Sequence, residues 1–387
     1  MKERVGLILT GGGARAAYQV GVLKAIAECM PRRARNPFPV ICGTSAGSLN
    51  AATLAINARS FRKGVRYLDS IWKNFHPSQV YRTDVLGVLS NTLRWLSGLL
   101  LSALGINKLK HVSLLDNSPL QTLLENILPC EKIQENIDAG LLQALSITAS
   151  GYGTGQSVSF YQGAAHLHPW RRTRRLGIPT KIEIKHLMAS SAIPFIFPAA
   201  LINREYFGDG SMRQIAPISP ALHLGATRVL VIGVTAANVD TSRTPEMHEY
   251  PTLAQIAGHA MNSIFLDNME VDLERLRKNN ELITLMPDEF QKYTDFCHVD
   301  VLVISPSQPL EKIAERYAKE MPWTIRLLLR MIGARPRRGD TLLSYLLSES
   351  KYCSALIDLG YQDAMHRREE IMRFLKTDSD YNNRMPQ

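Results

Sequence analysis

Three short stretches carry residue types that could act together in acyl-transfer chemistry. Residues 43–50 read GTSAGSLN and contain G-x-S-x-G, with Ser45 set between Gly43 and Gly47. That spacing sharpens a strand-to-helix turn and lifts a serine hydroxyl clear of the sheet. A hydroxyl is a weak nucleophile until a base takes its proton, and its attack builds negative charge on the carbonyl oxygen. A serine site therefore also needs a base and preorganised donors for an oxyanion.

The donors have a candidate in residues 11–16, GGGARA, which follow the short apolar run VGLIL and precede a helical pattern. The loop reads in two ways. It matches G-x-G-x-x-A, a dinucleotide-binding signature that wants an Asp or Glu near the end of the second strand. Here that strand ends Val40-Ile41-Cys42 and runs straight into the serine turn, with no acid in place. The same backbone could instead hold any anion, because amides at a helix N-terminus point outward. In acyl transfer that anion is the oxyanion, held by the amides around Gly12, Gly13 and Ala14.

The base is less obvious. An α/β-hydrolase order would place the serine after several strands, then an acid, then a histidine. Ser45 follows only one earlier strand, too early for that order. His223, His248, His259, His298 and His366 lie late enough that counting alone leaves a triad open. The other candidate is Asp209, set between glycines in YFGDGS, with Gly210 after it. As a local pattern this is equally an Asp-Gly turn between strands. A carboxylate can serve as base when it is within hydrogen-bond reach and the oxyanion is stabilised.

Bulk properties narrow the class. The 387 residues are enough for one large domain with an extension or for two domains. A hydrophobic content of 45% with 21% charged residues fits a globular protein with a core. The formal charge of +10 favours anionic partners such as nucleic acid or an acidic membrane surface. Five cysteines, Cys29, Cys42, Cys130, Cys297 and Cys353, form no C-x-x-C pair and suggest a reducing compartment. Cys42 ends an apolar run and is expected to be buried. The start has no signal-peptide pattern, and no apolar run reaches the ~18 residues of a spanning helix. The expectation is a cytoplasmic chain, peripheral to a membrane at most.

The first sixty residues, which hold the glycine loop and the serine turn, read strand-turn-helix twice, the opening of a parallel α/β sheet. Residues 61–143 read mostly helical. Within them, residues 85–107 are Leu-rich with Arg94 as the one charge, which suits a buried hairpin or an interfacial lid. Strands are expected at ALSITASGY, SVSFYQ, RVLVIGVTA and VDVLVISPS, with WRRTRR as a solvated loop. Beyond residue 305 the chain reads as helices, one starting near Pro309 and another running through TLLSYLLSESKYCSALIDLGYQDAMHRREEIMRFL. Residues 322–339 form a basic amphipathic pattern that suits either an anionic membrane surface or a docked capping segment.

Taken together, GGGARAAYQVGVL, GTSAGSLNA, ASSAIPFIFP and GDGS, in this order, closely resemble the blocks of the patatin-like phospholipase family. SLLDNSPL, between the second and third, is also similar to a family segment. The resemblance covers roughly residues 1–305. It implies an α/β fold with a mainly parallel central sheet flanked by helices in three layers. The residue pattern adds to this a helical insertion at about 61–143 and a helical C-terminal extension over 306–387. The resemblance implies a serine-aspartate dyad, with Ser45 as nucleophile, Asp209 as base, and Gly11, Gly12, Gly13, Ala14 and Arg15 forming the oxyanion loop. Arg15 takes the family's basic position, where it could support charge or hold the loop. Two departures stand out: Ala16 where the family usually has glycine, and Ser211 where it usually has Gly or Ala. Neither removes a group that does chemistry. No metal or organic cofactor is implied. The expected substrate is a fatty-acyl lipid ester, hydrolysed through an acyl-enzyme, with an anionic membrane surface as partner and no nucleic acid. A dinucleotide-binding protein and a non-catalytic lipid-binding module stand as the alternatives. Head group, acyl position, choice of water or another alcohol as acceptor, and oligomeric state are not legible.

Overall fold

The computed structural model of the chain describes residues 4–84, 97, 113–236, 253–287, 297–331 and 341–375. Among the described residues ten strands form one sheet: β1 (Val5–Leu9), β2 (Val40–Thr44), β3 (Ala144–Gly151), β4 (Ser157–Gly163), β5 (Trp170–Arg172), β6 (Arg175–Pro179), β7 (Ala200–Ile202), β8 (Glu205–Asp209), β9 (Arg228–Ile232) and β10 (Asp300–Ile304). Their order is β10-β9-β1-β2-β3-β4-β6-β5, with β8 paired to β3 and β7 to β8. The run from β10 to β3 is parallel, and the strands beyond it add antiparallel pairs.

Alternation along the central strands explains the layers. Leu7, Leu9, Ile41, Leu145, Leu230 and Ile232 belong to one buried cluster, and Ile8, Val40, Cys42, Ala144, Val229 and Val231 to another. Successive side chains point to opposite faces, so both faces carry apolar residues and both must be covered. The larger cluster takes in α1 (Ala17–Cys29), α2 (Ala46–Ile56), α3 (Phe61–Lys73) and the helix Ser350–His366. The other face packs against the helix Ser219–His223 and the later part of the long helix Leu253–Leu285, through Met269, Leu273 and Leu276. This is the expected three-layer α/β fold with a mainly parallel sheet and a helical C-terminal region.

The residues after 305 share this core. Gly21 in α1 and Gly360 in Ser350–His366 bring the two helix backbones into contact. A Cβ on Gly21 would overlap the Ile357 carbonyl, and one on Gly360 the Tyr18 carbonyl. The Tyr18 hydroxyl also donates to Asp363 at 3.0 Å.

Some local expectations change. The C-terminal pattern is three helices, Thr341–Leu346, Ser350–His366 and Arg368–Leu375. The breaks at Leu347-Ser348 and Arg367 carry no glycine or proline to announce them. WRRTRR is a hairpin, β5 with β6, because Trp170 stacks on Tyr161 with ring centroids 5.1 Å apart; Arg171, Arg172 and Arg174 are still exposed. The helix Leu253–Leu285 has no counterpart in the sequence reading. Cys42 is buried as expected, which pushes its thiol up to about 12. The candidate lid at 85–107, apart from Ser97, lies outside the described residues, as does 332–339 of the basic segment.

Candidate active site

The serine turn is built by two close approaches. Gly43 sits against Ala51 and the backbone of Gly47 and Ser48, while Gly47 sits against the carbonyls of Leu9 and Thr10, where a Cβ would overlap both. Glycine at these two positions lets β2 fold straight into α2 beside β1. Ser45 absorbs the turn with φ 52° and ψ −131° at the N-cap of α2. A non-glycine residue in such backbone costs about 1–3 kcal/mol and persists only where its surroundings fix it. Those surroundings are on hand: the Ser45 N–H donates to Ser190 Oγ at 2.8 Å, and the Ser190 hydroxyl donates to the Thr148 carbonyl at 2.6 Å. Both serines are buried.

Strand register carries Asp209 to the same place. Residues 40–44 of β2 pair with 144–148 of β3, so Thr44 lies beside Thr148. One residue further, Ala149 pairs with Val158 of β4 on one edge and with Asp209 of β8 on the other. The departure of the chain from the sheet at Ser45 leaves that edge of β3 to β8, which arrives antiparallel and ends at Asp209. Gly210 then passes the Thr148 carbonyl so closely that a Cβ would overlap it. The Asp209 N–H donates to the Ala192 carbonyl at 2.9 Å.

Asp209 is fully buried. Its Oδ1 accepts the Ser211 N–H at 2.9 Å, whereas Oδ2 is buried without a well-formed hydrogen bond. Burial pushes the carboxyl up to about 6; the Ser45 hydroxyl and the Ser211 N–H and hydroxyl pull the other way without cancelling it. The Ser45 hydroxyl is thus at the carboxylate without an aligned bond to Oδ2. Pairs of this kind commonly tighten only around a substrate. Ser211 brings a hydroxyl that the usual Gly or Ala would lack.

The glycine loop closes the third side. Gly11 lies against Ser45 Cβ and Ser211 Oγ, and Gly12 against Val234. Gly13 adopts φ +56° and opens a short 3₁₀ turn, Gly13–Ala16. The amides of Gly13 and Ala14 begin that turn and fall outside its hydrogen-bond ladder, as does the amide of Ala46 at the start of α2. Gly13, Ala14, Ser45 and Ala46 all line one pocket. Arg15 is fully buried and points into the C-terminal region: it pairs with Glu311 at 2.7 Å and donates to Ser344 Oγ at 2.8 and 2.6 Å.

The pocket measures about 600 Å³ with its open mouth. Its walls are apolar, with Trp72, Phe75, Tyr81, Leu124, Phe197 and Leu346 among them. Among the described residues no histidine lines it. His223 packs edge-on to Trp170, where burial pushes it down to about 4, and His298 lies beside Asp300 at 3.5 Å. His248 and the side chain of His259 lie outside the described residues, and His366 ends its helix. Ser190 and the Ala46 amide were not singled out as site groups from sequence, although Ser190 sits inside the quoted ASSAIPFIFP block. Tyr345, Leu346 and Ser348 also line the pocket, and no motif marks them.

The fold is thus a mainly parallel α/β sheet with a serine turn after its second strand and a glycine loop after its first. Residues 7–222 match the family described as Patatin, Patatin-like phospholipase. The chain belongs to the patatin-like phospholipase family. It is similar, at 27% identity over 217 residues, to a cGAMP-activated phospholipase of Pseudomonas aeruginosa, covering 56% of this chain and 55% of that protein. A 54-residue stretch is 50% identical to the lysophospholipase nte1 of Aspergillus terreus, 14% of this chain and 3% of the other. The chain thus spans about half the length of the first relative and a small part of the second. Among solved structures, VipD from Legionella pneumophila aligns over 95% of this chain and 67% of its own at 13% identity, with a TM-score of 0.35. The type III effector ExoU aligns over 89% and 78% at 19% identity, with a TM-score of 0.24.

Proposed function

We propose that the protein hydrolyses fatty-acyl lipid esters through a serine acyl-enzyme, with Ser45 as nucleophile and Asp209 as base. The observation that carries this is the register of β2, β3 and β8, which sets Asp209 one residue beyond Thr44 across β3. The Ser45 Oγ attacks the acyl carbonyl carbon as its proton passes to the Asp209 carboxylate. The amides of Gly13, Ala14 and Ala46 receive the oxyanion. When one such donor is removed from a comparable site, the rate falls by about 10²–10³. The α2 N-terminus adds its positive end. Collapse breaks the ester C–O bond, and the proton held by Asp209 goes to the leaving alcohol. Water then attacks the acyl-enzyme as its proton passes to Asp209. Collapse breaks the bond between Ser45 Oγ and the acyl carbon, and Asp209 returns that proton to Oγ, leaving fatty acid and free serine. The apolar pocket beside Ser45 suits an acyl chain.

The closing experiment is release of free fatty acid from phospholipid vesicles and lysophospholipid micelles by wild type and Ser45→Ala. Release that stops in Ser45→Ala supports the reading; equal release from both contradicts it. Dinucleotide binding finds no support in the site, because β2 ends in Cys42-Gly43-Thr44 without an acid.

The proposed partner surface is an anionic membrane. On the helix Trp323–Met331, Trp323, Leu327 and Arg330 are exposed at i, i+4 and i+7, an apolar stripe with a cation at its end. Among the described residues no helix is long and apolar enough to cross a membrane. Flotation with anionic vesicles should weaken in Trp323→Ala/Leu327→Ala, and unchanged flotation removes this partner.

A further inference from the structure

The residues matched to the family stop at 222, yet the glycine loop at residues 11–16 is held by side chains from beyond 305. We propose that Glu311, Ser344 and Tyr345 are positioning residues that fix the oxyanion loop through Arg15, so that the C-terminal region completes the site. The inference rests on the acyl-hydrolase reading above.

Arg15 is the link. Its guanidinium is fully buried, and a buried charge is tolerated only when paired and hydrogen-bonded. The partners meet it from several directions. Glu311 Oε1 is 2.7 Å from Nη2; Ser344 Oγ accepts from Nε at 2.8 Å and from Nη2 at 2.6 Å; and the ring of Tyr345 lies 4.3 Å from the guanidinium carbon. The planar fork of arginine makes this arrangement directional, which a lysine ammonium would not reproduce. The guanidinium therefore ties down the turn that carries it instead of reaching for a substrate oxygen.

The turn is also held by shape. Gly13, at φ +56°, lies so close to Tyr345 that a Cβ would overlap the Tyr345 carbonyl oxygen. The Arg15 N–H donates back to the Gly12 carbonyl at 3.1 Å, so locking Arg15 fixes the turn whose first residues, Gly13 and Ala14, line the pocket. The clamp itself is anchored: the Tyr81 hydroxyl donates to the Leu346 carbonyl at 3.0 Å, and the helix Ser350–His366 packs backbone to backbone on α1. Tyr345, Leu346 and Ser348 then form pocket wall next to Gly13, Ala14 and Ser45. Oxyanion donors contribute only when they are aimed before charge develops, so a loosened loop lowers turnover more than substrate binding.

The test compares Ser344→Ala, Ser344→Thr and Glu311→Gln with wild type in the full chain. Turnover is counted per site titrated with a fluorophosphonate, thermal melting is followed alongside, and hydrogen exchange is read for a peptide spanning residues 11–16. Ser344→Ala and Glu311→Gln should lower kcat about 10- to 100-fold with KM within about 3-fold, since an interaction made only in the transition state is weakened. Ser344→Thr, which keeps the hydroxyl, should restore most of the loss, and exchange in the loop should quicken in Ser344→Ala alone of the two. A purely structural tie would lower the melting temperature while kcat per titrated site stays within about 2-fold of wild type, and that result overturns the proposal. Should Glu311→Gln fail to fold, the two Ser344 variants decide. Should wild type show neither labelling nor acyl release, the acyl-hydrolase reading fails by itself, and unchanged loop exchange in Ser344→Ala then overturns the clamp separately.

Discussion

Ser190 holds Ser45 by its backbone: the Ser45 N–H donates to Ser190 Oγ at 2.8 Å, at the one point where the chain turns through φ 52°. The Ser190 hydroxyl is fixed in turn by the Thr148 carbonyl, on the strand that also receives Asp209. One hydroxyl therefore ties the serine turn to the strand that pairs with Asp209. Ser190→Ala should leave a buried N–H unpaired, at a cost of about 1–3 kcal/mol. Turnover should fall with it while substrate affinity holds, as steady-state kinetics and urea unfolding can measure. Unchanged kcat would show that the turn needs no such support.

The pH dependence follows from the burial of Asp209. Only the charged carboxylate can accept the serine proton, and this carboxyl titrates at about 6. kcat/KM should therefore decline as pH drops through about 6 instead of staying flat toward the ordinary carboxylate value of 3.8. The Ser211 hydroxyl is among the groups that hold the value down, so Ser211→Ala should move the midpoint upward. A profile still flat at pH 4.5 contradicts the assignment of Asp209 as base.

Stability should respond in the opposite sense. The folded carboxyl titrates above its unfolded value, so its protonation favours the fold: that contribution is complete below 3.8 and lost as pH rises through about 6. Above pH 6 the fold carries a charged group it desolvates, and the displacement from 3.8 to about 6 corresponds to about 3 kcal/mol. Asp209→Asn should melt above wild type at pH 8, by up to that amount, and the advantage should vanish toward pH 4. Melting curves at the two pH values check it, and a mutant less stable at pH 8 contradicts it.

The pocket makes a prediction about chain length. Trp72 is 1% exposed, lines the pocket, and is pinned by its indole N–H to Asn50 Oδ1 at 2.8 Å, with Phe75 at 5.1 Å between ring centroids. Trp72→Ala should cost about 3–5 kcal/mol of stability. In the fraction that folds, it should shift preference toward longer acyl chains. Rates on a series of esters differing in acyl length provide the readout; an unchanged ranking would mean that Trp72 sets no limit.

The legible parts of this molecule were those written in local pattern. The near-continuous apolar runs VGLIL and RVLVI mark strands buried on both faces, and the glycines around Ser45 mark a turn whose reason is contact with neighbouring backbone. What the pattern does not show is tertiary. Glu311, Ser344 and Tyr345 take their contacts from partners far away in the chain, and nothing in their own neighbourhoods distinguishes them from other polar or aromatic residues, while Ser190 lies in the ASSAIPFIFP block but is not marked there as the partner of Ser45. Asp209 lies between: its Gly-Asp-Gly setting is a commonplace turn, and only the register with β3 sets it beside Ser45. The Leu253–Leu285 helix escaped because its apolar residues are spread around its axis with little periodic contrast.

The proposed chemistry requires Ser45 as the nucleophile and Asp209 as the group that activates it. Labelling with an active-site fluorophosphonate, with the modified peptide identified by mass spectrometry, tests it most directly. Wild type should carry the label on Ser45 and Ser45→Ala should carry none. Asp209→Asn, folded by its melting curve, should label about 100-fold more slowly or less, within the range of a lost general base. Labelling of Ser45→Ala at the wild-type rate, or of Asp209→Asn at full speed, would contradict the account.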